Sequence, residues 1–224
     1  MHVGFIMDGN RRWAKTRGFG VTKYHGQGAK NVERVLDLCL EAKVDVASFW
    51  GLAYRNVLER SKLELTAIFG ILENNLPEMT SKMKTKGVAF DWCGDASILP
   101  KSTVKALETG KKLTAGGEKM KCILAIGYGG RHEIVQAVQK LLREGADPAS
   151  VTEESFAAAL DTGRFPTPDL VVRTGGHDRH SGYFLYASEY CEYHFSDTLW
   201  PDFGAADFSA AMEGYRKAQR NFGK

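Results

Sequence analysis

The sequence has 224 residues, 43% of them hydrophobic, so it can bury the core of one large domain over residues 1–224. Its 30 basic and 27 acidic residues leave a net charge of +3, which argues against general nucleic-acid binding and favours a defined anionic ligand. No run of residues is long and apolar enough to cross a membrane, and no C-x-x-C spacing indicates a zinc site or disulfide framework. A cytoplasmic protein with reduced, buried thiols is therefore expected.

Apolar strands alternate with amphipathic helices along the chain. Short apolar runs predict strands at residues 3–7, 44–52, 87–94, 120–126 and 169–172. Helical spacing of apolar residues follows at 32–40, 62–79, 102–113, 134–142 and 153–160. This alternation predicts a single α/β domain with a central parallel sheet flanked by helices and joined by right-handed crossovers.

Two segments beside the predicted strands bear on the ligand site, a helix at 62–79 and a loop at 53–57. Ordinary core packing accounts best for most apolar residues of the helix at 62–79, and the wall of an elongated hydrophobic tunnel is the alternative. Residues 53–57 read as an irregular loop that leaves the second strand at the edge where ligands bind in open α/β sheets.

The stretch after the first strand combines one acid with many cations. Asp8 lies where the strand gives way to a turn at Gly9, and it is the only acid between residues 8 and 30. Six cations accompany it: Arg11, Arg12, Lys15, Arg17, Lys23 and Lys30. This ratio favours a multiply charged anion near an isolated carboxylate, and a diphosphate with a divalent metal fits best.

Residues 173–181, called here the second cationic loop, follow the last predicted strand. Arg173 and Arg179 can bind anion oxygens in bidentate fashion, Ser181 can donate its hydroxyl, and Gly175-Gly176 let the backbone approach a ligand. Two separate cationic segments suggest two phosphorylated substrates. The alternative is that Arg173 and Arg179 only form surface ion pairs, for which the candidate acids are Asp178, Glu189 and Glu192.

Other phosphate and metal motifs are absent from the sequence. No G-x-x-x-x-G-K-[ST] occurs and no G-x-G-x-x-G follows a strand, which excludes a P-loop and a dinucleotide-binding unit. Position 10 is Asn10, where an aspartyl-phosphatase would carry a second acid. The histidines at 177, 180 and 194 have no spacing typical of zinc ligands.

Four separated motifs carry a resemblance to a known family. They read HVGFIMDGNRRWA at residues 2–14, YGGR at 128–131, RTGGHDRHS at 173–181 and EYHFSDTLWPDF at 192–203. In this order they resemble the signature regions of the cis-prenyltransferases, the undecaprenyl diphosphate synthase family. The resemblance covers nearly the whole chain, and it implies a parallel sheet with flanking helices, an elongated hydrophobic tunnel and a homodimer.

The resemblance also implies roles for individual residues. Asp8 matches the catalytic aspartate that holds Mg²⁺ against the diphosphate of the allylic substrate, and Glu192 matches a metal-site carboxylate supplied within the dimer. The residues that match the site of the first diphosphate are Gly9, Asn10, Arg11, Arg12, Trp13 and His25. Those that match the second site, usually that of isopentenyl diphosphate, are Arg173, Arg179, His180 and Ser181.

The chain departs from the family at its second motif. That motif is commonly S-S-E-N-W followed by R-P, and its Ser and Asn are associated with removing a proton from isopentenyl diphosphate. Here residues 50–61 read WGLAYRNVLERS, which leaves Asn56 as a loose catalytic counterpart and Arg60 as a counterpart of the phosphate-binding arginine. Bulky Trp50, Leu52 and Tyr54 are expected to limit product length. Other departures are Val21, Tyr24, Asp178 and the C-terminal segment at 221–223.

These observations predict a Mg²⁺-dependent prenyltransferase that joins two small isoprenoid diphosphates into a short product. Regular cis-elongation and an irregular coupling that gives a branched, lavandulyl-type skeleton have nearly equal weight, because the proton-abstraction loop is rewritten while both anion sites are kept. A non-catalytic partner subunit of the same fold and a phosphatase using Asp8 are the remaining alternatives.

Overall fold

Six parallel strands form the central sheet in the part of the chain that the computed structural model describes, residues 1–19 and 21–218, with the backbone alone described for 21–25. They are β1 His2–Ile6, β2 Val46–Ala53, β3 Val88–Cys93, β4 Met120–Tyr128, β5 Leu170–Arg173 and β6 Glu192–Phe195. The order across the sheet is β3-β4-β2-β1-β5-β6. The carboxyl ends of β1, β2, β4 and β5 therefore meet at one edge, where ligands bind in sheets of this kind.

The helices connect the strands and cover the sheet. They are α1 Asn10–Thr16, α2 Val21–Glu41, α3 Tyr54–Glu59, α4 Lys62–Lys86, α5 Lys101–Leu113, α6 Gly130–Arg143, α7 Glu153–Ala159 and α8 Ala205–Lys217. The larger core cluster packs α2, α4, α5 and α8 against one face of the sheet, and Phe69 and Leu76 of α4 belong to it. Core packing is thus confirmed for these two residues, while the tunnel stays a prediction.

Alternation along the strands separates two core clusters. Phe5 lies in the larger cluster, whereas Ile6 lies in a smaller one on the opposite face with Tyr128, Tyr183 and Phe184. Because successive side chains of a strand point to opposite faces, each apolar strand supplies both clusters. No helix in the described part of the chain is long and apolar enough to span a bilayer.

The five predicted strands are confirmed, each with bounds within two residues of the prediction. Strand β6 and helix α8 are not predicted from the sequence pattern. The residues of β6 are only half-buried and exposed at the sheet edge, so they lack the apolar pattern of a central strand. The apolar residues of α8 are mostly alanines, whose small side chains give a weak amphipathic pattern, although Phe208, Ala211 and Met212 are buried.

Two segments that were not predicted as helices are helical. The cationic stretch after Asp8 forms α1, because Gly9 turns the chain with φ 106° and Trp13 buries its ring on the next turn. Of residues 53–57, which were predicted to form an irregular loop, residues 54–57 belong to the short helix α3. The prediction for His25 and those for residues 221–223 lie outside the described side chains.

A β-bulge at Gly51 determines where the bulky side chains of the second motif point. Trp50 pairs with Ala125 of β4 and Leu52 with the next residue, Ile126, so one extra residue is inserted in β2. Trp50 stacks on Tyr183 in the smaller cluster, with ring centroids 5.2 Å apart, while Leu52 returns to the larger cluster. The two residues therefore lie on opposite faces and do not line a single tunnel mouth.

His2 is a buried histidine with a complete set of partners. Its Nδ1 lies 2.8 Å from the carbonyl oxygen of Pro166, which can only accept, so Nδ1 carries the proton. Its Nε2 then accepts from the Ser48 hydroxyl at 2.7 Å, and the Tyr183 hydroxyl donates to Ser48 Oγ at 2.7 Å. Burial lowers the pKa of His2 to about 4, which keeps the ring neutral.

We expect His2 to make the fold acid-sensitive. In the unfolded chain His2 takes up a proton near pH 6.5, but in the folded chain only near pH 4, so the unfolded state binds more protons between these values. The free energy of unfolding should fall by up to about 3 kcal/mol as the pH drops through this window. Chemical denaturation at several pH values measures it. The His2→Gln variant should lack this part of the slope, and an unchanged slope would contradict the assignment.

Candidate active site

Asp8 is fixed at the carboxyl edge of the sheet by its own main chain. Its carbonyl oxygen accepts from Trp200 N at 3.0 Å and from Thr174 Oγ1 at 2.7 Å. A side chain at Gly9 would place a Cβ 2.8 Å from Leu199 Cδ2, so only glycine fits this turn. The turn leaves the Asp8 carboxylate about one-third exposed, pointing to the edge where β1 and β5 end.

Two arginines from different segments face the Asp8 carboxylate. Arg173 Nη2 lies 2.9 Å from Asp8 Oδ2, and Arg12 Nη2 lies 3.6 Å from Oδ1. Gly9 N also donates to Oδ1 at 2.7 Å. The side chain of Arg173 is only 6% exposed, and its Nε has no hydrogen-bond partner among the described residues. Arg173 is thus a buried cation whose charge is balanced by Asp8.

The second cationic loop is organised around the same arginine. Arg173 Nη1 donates to Ser181 Oγ at 2.6 Å and to the carbonyl oxygen of Arg179. Ser181 has a left-handed backbone with φ 52°, and Gly182 N donates to His180 Nδ1 at 3.0 Å, which shapes the turn. The guanidinium of Arg179 is exposed at the loop. The alternative of a surface ion pair is therefore wrong for Arg173, which binds Asp8.

Helix α1 presents the other arginines of the first segment. Arg12 donates to the carbonyl oxygen of Gly175, so α1 is joined directly to the second cationic loop. Arg11 Nη2 lies 3.0 Å from Glu64 Oε1, and Arg60 Nη1 lies 3.1 Å from the same oxygen. Arg60 therefore lies beside Arg11 rather than with Arg173 and Arg179. One carboxylate holds the two arginines together on the first side of the site.

Asn10 and Trp13 hold α1 in place. Asn10 Nδ2 donates to the carbonyl oxygen of Met7 at 3.0 Å, while its Oδ1 is buried with no partner among the described residues. Trp13 is 8% exposed and donates from Nε1 to Asp202 at 2.8 Å, with the Arg17 guanidinium 4.4 Å above its ring. The contacts of Trp13 are those of an anchor for α1.

The structure separates Glu192 from Asp8 within one chain, whereas Asn56 follows β2, the neighbour of β1, at the same edge of the sheet as Asp8. Asn56 is half-buried in α3, at the end of β2. Glu192 opens β6 and pairs in register with Leu170, three residues before Arg173, which is about 10 Å along the strand toward the opposite edge. Within one chain, Glu192 and Asp8 therefore lie toward different edges of the sheet.

The chemistry of the site fits a divalent metal that the substrates help to bind. Among the described residues, no group of three or more His, Cys, Asp or Glu side chains could hold a metal by itself. Asp8 offers one carboxylate at the site. Mg²⁺ usually takes one or two protein carboxylates and completes its shell with waters and substrate phosphates, which matches this arrangement.

Three residues at the site escaped the sequence analysis. Thr174 is fully buried and fixes the main chain of Asp8, Glu64 joins two arginines, and Asp202 receives the Trp13 indole. The ion pair of Glu64 with Arg60 could have been predicted, because the two residues are four apart at the start of a helix. Thr174 and Asp202 act through contacts between distant segments, which no local pattern indicates.

The fold and the site define an enzyme that binds polyanionic substrates at the carboxyl edge of a parallel sheet. The family model of the undecaprenyl diphosphate synthases, a prenyltransferase family, matches residues 6–223. The chain therefore belongs to this family, the cis-prenyltransferases, and is an isoprenyl diphosphate synthase.

Individual relatives agree with this assignment. The tritrans,polycis-undecaprenyl-diphosphate synthase (geranylgeranyl-diphosphate specific) of Thermoplasma acidophilum is 34% identical over 229 residues, covering 100% of this chain and 88% of that protein. The isoprenyl transferase of Nitrosomonas europaea is 37% identical over 227 residues, covering 100% and 85%. The crystal structure of lavandulyl diphosphate synthase from Lavandula x intermedia, in complex with dimethylallyl diphosphate, superposes with a TM-score of 0.94 at 34% identity, covering 100% and 98%.

The different burial of Arg173 and Arg179 predicts different effects of their loss. Arg179→Ala should raise the apparent KM for the second diphosphate roughly tenfold or more, because an exposed charge-assisted contact is lost, with little change in stability. Arg173→Ala should also lower the free energy of unfolding by about 2 kcal/mol, because it breaks a partly buried ion pair.

Steady-state kinetics and thermal unfolding measure the two effects, with Arg143→Ala at the exposed end of α6 as the control. Unchanged kinetics in Arg179→Ala would show that the second cationic loop is not a diphosphate site.

Proposed function

We propose that this chain condenses dimethylallyl or geranyl diphosphate with isopentenyl diphosphate, or with a second allylic diphosphate, to give a short prenyl diphosphate and free diphosphate. The observation that carries the proposal is the position of Asp8 between two arginine groups from separate segments, Arg11–Arg12 on one side and Arg173–Arg179 on the other. One carboxylate between two polycationic surfaces suits a reaction that brings two diphosphates together.

The residues of each segment have distinct roles in this reaction. Arg11 and Arg12 bind the diphosphate of the allylic substrate and stabilise the charge that grows on it as the C–O bond ionises. Arg173, Arg179 and Ser181 hold the second diphosphate, so that the alkene of this substrate faces the allylic cation. Attack forms the new carbon–carbon bond, and loss of a proton restores a double bond. When bound, Mg²⁺ would neutralise negative charge on the leaving diphosphate.

An irregular coupling is the second candidate, with nearly equal weight. In this reaction dimethylallyl diphosphate is the acceptor, and a branched, lavandulyl-type diphosphate results. Two observations favour it. The second motif lacks its usual Ser and Asn and forms α3, with Asn56 half-buried, and the fold is similar over its full length to a lavandulyl diphosphate synthase solved with dimethylallyl diphosphate.

The proposal includes Mg²⁺, a homodimer and a cytoplasmic location. Asp8 is the ligand for the metal within one chain, and Glu192 is the carboxylate that a second copy would bring. Support for the dimer comes from β6, which lies at the edge of the sheet, carries Glu192 and the exposed Phe195, and follows the exposed Tyr190. A non-catalytic role is disfavoured by the retained pairing of Asp8 with Arg173.

Product analysis tests the proposal. Purified protein with Mg²⁺ is incubated with dimethylallyl diphosphate, with isopentenyl and geranyl diphosphates added separately and together, and dephosphorylated products are identified by mass spectrometry and NMR. A linear alcohol that requires isopentenyl diphosphate indicates regular elongation, and a branched alcohol from allylic substrate alone indicates irregular coupling. Inorganic phosphate from a simple phosphomonoester, with no prenyl product, would overturn both in favour of a phosphatase.

Asp8→Asn should lower turnover at least about a hundredfold, because the metal-dependent stabilisation of the leaving group depends on this carboxylate. The free energy of unfolding should fall by only about 1–2 kcal/mol, since the amide keeps a contact with the Arg173 guanidinium and the site is partly exposed. Diphosphate release and chemical denaturation measure the two quantities. The exposed acid Glu118, changed to Gln, is the control, and near-normal turnover of Asp8→Asn would contradict the assigned role.

A further inference from the structure

Tyr54 and His132 stack face to face at the carboxyl edge of the sheet. Their ring centroids lie 3.7 Å apart with an interplanar angle of 16°. His132 Nε2 lies 2.8 Å from Asp95 Oδ2, and Gln136 Nε2 donates to the same oxygen at 3.0 Å. Tyr54, His132, Asp95 and Gln136 are together called the clasp. It joins the ends of β2, β3 and β4.

The clasp has a defined protonation at its centre. Burial acts to raise the pKa of Asp95, but hydrogen bonds from Ser97 and His132 outweigh it and lower the pKa below its usual range. The carboxylate is therefore ionised and can only accept hydrogen bonds. His132 Nε2 thus carries a proton and donates a hydrogen bond to Asp95. This bond fixes the plane of the imidazole against the ring of Tyr54.

Helix α3 has few other anchors. It contains six residues, none of them buried, and Ala53 at its N-cap provides no side-chain hydrogen bond. Val57 packs at the margin of the larger core cluster. Tyr54 is the first residue of the helix, and it also contacts Gly129, where an added Cβ would lie 3.1 Å from Tyr54 Cβ. The position of α3 therefore depends strongly on the stack between Tyr54 and His132.

The helix that carries His132 also contacts the residue that follows the second cationic loop. Gly130 N, two residues before His132, donates to the carbonyl oxygen of Gly182 at 3.1 Å, and Gly182 directly follows Ser181. On the other side α3 carries Asn56 and leads into Arg60, whose N donates to the carbonyl oxygen of Asn56 at 3.1 Å. The clasp therefore lies between two chain segments, one that adjoins the second cationic loop and one that leads into Arg60.

We propose that His132, held by Asp95 and stacked on Tyr54, is a positioning residue that sets the place of α3, and with it Arg60 and Asn56, when the two substrates bind. This inference rests on the proposed function. His132 acts through α3 rather than on the reacting atoms. Loss of the stack should therefore weaken productive binding more than it changes the folding of the core.

Matched variants separate the stack from the rest of each side chain. Tyr54→Phe keeps the aromatic ring, whereas Tyr54→Leu removes it. His132→Gln keeps a donor for Asp95 but loses the ring. Two readouts are used: hydrogen–deuterium exchange of the amides of residues 54–60, and steady-state kinetics with both diphosphates. Thermal unfolding confirms that each variant is folded.

Tyr54→Leu and His132→Gln should exchange these amides roughly three- to tenfold faster and raise the KM for a diphosphate substrate by a similar factor, the range typical of an aromatic pair. Tyr54→Phe should match the wild type in both readouts. Unchanged exchange in both ring-deleting variants would overturn the inference, and so would faster exchange with an unchanged KM. A wild-type protein that releases no diphosphate would instead refute the proposed function. The role of the clasp in holding α3 would then be tested by the amide exchange rates of residues 54–60 alone.

Discussion

The ion pair between Asp8 and Arg173 is the contact on which the whole site depends. Neighbouring parallel strands place it, because Ile6 at the end of β1 is in register with Arg173 at the end of β5. A guanidinium that is almost fully buried needs a counter-charge nearby, and Asp8 provides it at 2.9 Å. The same guanidinium then holds Ser181 and the backbone of the second cationic loop. One pair of charges therefore joins the turn after β1 to the second cationic loop.

The carboxyl edge of the sheet continues this organisation to its other side. Arg12 links α1 to the second cationic loop, Glu64 contacts both Arg11 and Arg60, and Tyr54 of α3 stacks on His132 of α6. The positively charged side chains thus lie on elements that these contacts connect to one another. Such preorganisation is what a reaction between two diphosphates requires, since mutual repulsion of the substrates must be overcome before chemistry.

The parts that the sequence predicted are those with a local physical signal. Central strands such as β1 and β4 are continuous apolar runs, and the isolated Asp8 among cations indicated an anion site before any fold was known. Features that depend on distant contacts were not predictable. Helix α1 has no apolar helical pattern, because Trp13 is its one buried aromatic residue and its neighbours are arginines. The bulge at Gly51, which separates Trp50 from Leu52, can be recognised only from the register with β4.

The proposed reaction requires two diphosphate sites in each chain, one on either side of Asp8. Calorimetric titration with a non-ionising thio analogue of dimethylallyl diphosphate, in the presence of Mg²⁺, tests it most directly. We expect two binding events per chain in the wild type and loss of only one of them in Arg179→Ala. A single site per chain, or equal weakening of both events in that variant, would contradict it.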